Sequence, residues 1–120
     1  MQVTFKKSKQ EELQFEWDRT DLNPDPYEHS QVLRSFTVAD DYLDRFLMLR
    51  NRSIWLVAVE PKTFTVERLL WRRPVDETQQ ISSSLMIRAV GKEQVRECVL
   101  QLKLGNRVLF IRSSNGEELL

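Results

Sequence analysis

Thr37-Val38-Ala39-Asp40-Asp41-Tyr42-Leu43-Asp44-Arg45-Phe46-Leu47-Met48-Leu49-Arg50-Asn51-Arg52 is the stretch on which the fold class turns. Thr37 and Asp40 have the Ser/Thr-x-x-Asp/Glu spacing of a helix capping box. Asp40 and Asp41 suit the positive end of a helix, and Arg50 and Arg52 suit its negative end. At about 100° per residue, Val38, Ala39, Tyr42, Leu43, Phe46, Leu47 and Leu49 cover one wide side of a helical wheel. Asp40, Asp41, Asp44 and Arg45 take the other side. The pattern predicts an amphipathic helix over about 38–50 whose apolar side needs a sheet to pack on.

Upstream, Leu13, Phe15 and Trp17 alternate with polar residues, the period-two signature of a half-buried strand over Leu13–Arg19. Val3–Lys7 reads as its partner across Ser8–Glu12. Asn23-Pro24 and Asp25-Pro26 predict turns, and Pro26 suits the first position of a short helix at 26–36.

Downstream the chain reads as strands. Ser53–Glu60 and Phe64–Arg73 flank Pro61-Lys62-Thr63, and pairing them puts Trp55, Val57, Val59, Phe64 and Val66 on one face. Ile81–Val90, Gln94–Leu104 and Arg107–Ser113 are separated by Gly91-Lys92 and Gly105-Asn106. Gly at the first position of a two-residue loop supports the positive φ of tight hairpins. Both turns sort the three strands in the same way. Leu85, Ile87, Ala89, Cys98, Leu100, Leu102, Leu109 and Ile111 fall on one face, and Met86, Arg88, Glu97, Val99, Gln101, Lys103, Val108, Phe110 and Arg112 on the other. The expected fold is therefore α+β: one domain over 1–120 with a flexible tail at 115–120. Its sheet is a curved, mainly antiparallel meander, open or closed into a partial barrel, with the long helix packed on it.

Composition narrows the function. The 120 residues carry 18 Lys+Arg, 18 Asp+Glu and one Cys, so no intrachain disulfide forms. The first residues lack the apolar core of a signal peptide and no apolar run is long enough to span a membrane, so a cytoplasmic location is expected. Charge is uneven: net −5 over 1–44, net +7 over 45–114 and net −2 beyond. Two such parts can face each other within one fold, or the basic part can face an anion.

Catalytic signatures are thin. A Cys–His pair would need Cys98, on the apolar strand face, and His29, in the turn-rich segment. The three glycines, Gly91, Gly105 and Gly116, form no phosphate loop. One Cys and one His cannot make the common zinc tetrahedra, and the acidic groups match no calcium loop, so no cofactor or metal is expected.

The expected function is a non-catalytic protein-binding module: an adaptor, assembly or inhibitor-type protein, with self-association into a homodimer open. It would act through a strand edge or the half-apolar face of Met86, Arg88, Val99, Gln101, Val108, Phe110 and Arg112, where apolar groups sit among charges. One alternative is a nucleic-acid-binding domain using the basic region 45–114, with Arg68, Trp71, Arg72 and Arg73 holding phosphate and stacking bases. Another is a small apolar-ligand binder in a helix-capped barrel.

Overall fold

The computed structural model describes residues 2–3, 30–50, 52–76 and 78–119. Among them there is no helix, and the class is all-β. The expected helix over 38–50 is a strand. Strand β2 (Ser30–Val38) runs into a two-residue turn, Ala39-Asp40, and returns as β3 (Asp41–Arg50), with Val38 opposite Asp41. Asp40 holds the left-handed conformation that this turn needs (φ 63°), which Asp tolerates better than most residues. The physical reason for the correction is burial on both sides. β3 pairs with β2 on one edge and with β4 (Ser53–Glu60) on the other, and Phe46, Leu47 and Met48 are all buried. A doubly covered strand and a broad helix face both read as an uninterrupted apolar run. Arg45, placed on the polar side of the expected helix, has no exposed surface. The expected short helix at 26–36 is corrected likewise: residues 30–36 belong to β2. Residues 26–29, and residues 4–7 and 13–19 of the N-terminal strands, lie outside the described residues.

The chain divides into two compact units, residues 1–75 and 76–120. The first holds an antiparallel sheet in the order β1-β2-β3-β4-β5, where β1 is Gln2–Val3 and β5 is Thr65–Pro74. β4 is its best-protected strand, buried from Ser53 through Val59. Val32, Phe46, Met48, Trp55, Val57, Val59 and Val66 form one core cluster, with Leu69 packed against it. The Trp55 indole N–H is satisfied there by the Arg50 carbonyl at 3.1 Å. The β4–β5 hairpin turns through Pro61–Phe64. The Phe64 N–H closes on the Glu60 carbonyl at 2.9 Å, the Glu60 carboxylate accepts from the Thr63 N–H at 2.7 Å, and Phe64 is left-handed (φ 56°). Its ring meets that of Phe46 edge-on, centroids 5.9 Å apart.

β5 carries two bulges. Val59 faces Val66 while Ala58 faces Arg68, which leaves Glu67 extra; Val57 faces Leu69 while Leu56 faces Trp71, which leaves Leu70 extra. A bulge puts two residues opposite one and resets the side-chain alternation. Val66, Leu69 and Arg72 thus share the face of Val59, Val57 and Trp55, at a spacing of three rather than two.

The second unit is a four-stranded antiparallel meander, β6 (Ile81–Val90), β7 (Val95–Leu104), β8 (Arg107–Arg112) and β9 (Glu118–Leu119). At Gly105-Asn106 the pairing is the expected one: Leu104 with Arg107, Leu102 with Leu109, Leu100 with Ile111. Between β6 and β7 the register differs from expectation by two. The turn takes four residues, Gly91–Gln94, so Val90 faces Val95 and Leu85 faces Leu100. Left-handed Gln94 (φ 55°) and its side-chain amide, which donates to the Gly91 carbonyl at 2.7 Å, complete that turn. A shift of two preserves which residues share a face. Leu100, Leu102 and Ile111 are fully buried. Within the expected tail, Gly116 (φ 80°) turns the chain so that Glu118–Leu119 pairs with Phe110 and Ile111. Among the described residues, each sheet's strand order runs from edge to edge without closing.

Candidate functional site

The second sheet brings all seven residues of the expected interface onto one face. Arg88 faces Glu97, Met86 faces Val99 and then Arg112, Gln101 faces Phe110, and Lys103 faces Val108. The face is already occupied in part by its own contacts. Val99 has no exposed surface. The Arg88 guanidinium lies over the Phe110 ring, 4.8 Å from its centroid, a cation–π contact that covers the aromatic. Arg112 grips Glu97 with two nitrogens, Nε at 2.8 Å and Nη2 at 2.5 Å, and reaches Glu117 at 3.4 Å. The Arg112 hydrogen bonds hold the Glu97 carboxyl below the usual carboxylate range, and Glu97 in return raises Arg112. Beside this pair a shallow open depression of about 270 Å³ is lined by Val90, the Gly91–Glu93 turn, Val95, Glu97 and Arg112.

The edge of the same sheet is more open. On β6, Leu85 and Ile87 are 36% and 59% exposed, and Ser82, Ser84 and Ala89 are exposed as well. β6 is ten residues long with one charge, Arg88, and neither Gly nor Pro. An edge strand offers a row of backbone donors and acceptors, which proteins shield by shortness, charge, proline or bulges. Among the described residues, the edges formed by β5 and β9 carry such devices. β9 is two residues long, and β5 has two bulges, Glu67, Arg68, Arg72, Arg73 and a terminal Pro74. β6 has none of them beyond a single arginine. Leu85 and Ile87 lie on the expected apolar face with Cys98, Leu100 and Ile111, but at this edge both are exposed. The available signal was the near-absence of charge in Ile81–Val90, which marks an unshielded strand only once its edge position is known.

The residues of the nucleic-acid alternative do not form one surface. Arg68, Trp71 and Arg73 share a face with Ala58, Leu56 and Ile54, and Arg72 projects to the opposite face with Trp55. Trp71 is 8% exposed and offers little ring for stacking. Arg68 is paired with Asp41 at 2.8 Å, and the Arg72 guanidinium sits 5.3 Å from the centre of the Trp55 ring.

Cys98 is a partly buried free thiol. The nearby Ser113 hydroxyl donates to the Cys98 carbonyl at 2.5 Å, so it is engaged with backbone. Among the described residues no group of three or more His, Cys, Asp or Glu could hold a metal ion, and no helix is long and apolar enough to cross a membrane. Comparison of the chain with protein-family models, with curated proteins and with solved structures returns no match.

Proposed function

We propose that the chain is a non-catalytic protein-binding module that accepts a partner strand along β6. The observation that carries this reading is the contrast among the edges of the described residues: β6 is long, nearly uncharged and studded with exposed Leu85 and Ile87. Strand addition draws its affinity from main-chain hydrogen bonds and its selectivity from alternate side chains. The face centred on Phe110 and Met86 serves as a rim to that edge rather than as the main contact, because Arg88 and Arg112 already hold contacts there. The proposal places the module in the cytoplasm, the reducing compartment that suits its one free thiol, Cys98.

Association or capture from the source organism's lysate tests it with three proteins: the native chain, Ile87→Lys and Phe110→Glu. Binding lost with Ile87→Lys and kept with Phe110→Glu supports the edge. Binding lost only with Phe110→Glu moves the contact to the face, and no binding with any of the three refutes the reading.

A further inference from the structure

We infer that the strand added to β6 is β6 of a second copy of this chain, running antiparallel about a two-fold axis at Met86. This rests on the edge reading above and names its partner. A two-fold axis perpendicular to the sheet keeps each copy's faces on the same side, so only residues of equal parity can stand opposite one another. Three central registers are then available, pivoting on Leu85, Met86 or Ile87. The Leu85 pivot sets exposed Ile87 against Ser83, and the Ile87 pivot sets Leu85 against Ala89. The Met86 pivot sets Leu85 of each copy against Ile87 of the other, twice, so both exposed apolar side chains of each edge meet apolar partners.

Charge agrees with the same register. The only ionic residue of the strand, Arg88, stands opposite the exposed hydroxyl residue Ser84, and no two like charges oppose. Pairing extends from Ser82 opposite Val90 to its symmetric mate, nine residues per copy with no glycine, proline or bulge to interrupt it. A formal net charge of zero leaves no overall repulsion between copies. The product is a continuous eight-stranded sheet with the short β9 strands at its outer ends.

Sedimentation equilibrium on the full chain, together with cysteine cross-linking in a Cys98→Ala background, tests the register. Met86→Cys places two thiols directly opposite and forms a disulfide-linked dimer on mild oxidation. Ser84→Cys leaves its thiols about 13 Å apart along the strands and does not. Ile87→Lys removes two apolar contacts per dimer and weakens dimerisation at least about tenfold, with circular dichroism confirming that the fold is retained. A monomer at every concentration, with lysate capture still abolished by Ile87→Lys, overturns the self-pairing and leaves the edge reading standing. A monomer with no edge-dependent capture overturns both. A dimer indifferent to Ile87→Lys, or one that cross-links through Ser84→Cys and not Met86→Cys, overturns this register.

Discussion

Asp41 opens β3 and anchors three contacts: it accepts from the Leu43 N–H at 3.0 Å, Arg45 Nη2 at 2.7 Å and Arg68 Nη2 at 2.8 Å. Its carboxyl is lowered from 3.8 to about 2, first by the Arg45 hydrogen bond and next by the Leu43 N–H. At 1.36 kcal/mol per pKa unit, that depression corresponds to at most about 2.5 kcal/mol. The side chain keeps 20% of its surface in water, and solvent screening reduces the expected contribution to about 1–2 kcal/mol. Because the folded value lies below the unfolded one, the stabilisation is fully present above pH 3.8 and is lost as the pH falls through about 2. Urea unfolding followed by tryptophan fluorescence measures it, since Trp55 has no exposed surface. Asp41→Asn should be less stable than the native chain by about 1–2 kcal/mol at pH 7. That gap should hold down to about pH 4 and narrow between pH 4 and pH 2. A gap that stays constant down to pH 2, or no gap at pH 7, refutes the assignment of Asp41 as the anchor of the β2–β3 turn and of buried Arg45.

Two further outcomes follow from the core and the turns. Leu56→Ala, in the fully buried centre of β4, should cost about 2–5 kcal/mol in urea unfolding; a loss under about 1 kcal/mol would mean that this strand is not doubly covered. Gly105 is left-handed (φ 60°) with nothing within 4 Å of where a Cβ would stand. Gly105→Ala should therefore lose about 1 kcal/mol through backbone strain alone, while Gly105→Asn, more tolerant of that conformation, should lose less; equal losses in thermal melts would point to a steric cause instead.

The strands were legible where one face differed from the other or where glycine marked a turn. Ser53–Glu60 and Ile81–Val90 have their expected bounds, and the Gly105-Asn106 hairpin has its expected register. Gly91 was legible as a turn residue but not as the first of four, because the last, Gln94, is left-handed without being glycine. The 38–50 segment was misread for a related reason. Its turn is Ala39-Asp40, with an aspartate doing what glycine does elsewhere, and the strand after it is apolar on both sides. Period counting fails on such a segment, and an acid-rich start then resembles a helix cap. The face of the second sheet was legible from parity alone, which survives a register error of two. The openness of β6 was not, since a sequence does not state which strand lies at an edge.

The two supernumerary residues of β5 also bear on how this chain can change length. Removing Leu70 would leave Leu69 and Trp71 as neighbours, still opposite Val57 and Leu56, and removing Glu67 would do the same for Val66 and Arg68 opposite Val59 and Ala58. Each bulge is thus a slot where a single-codon deletion turns an irregular ladder into a regular one without inverting any side chain. A chain shortened at either point would keep the same cross-strand partners and the same interior.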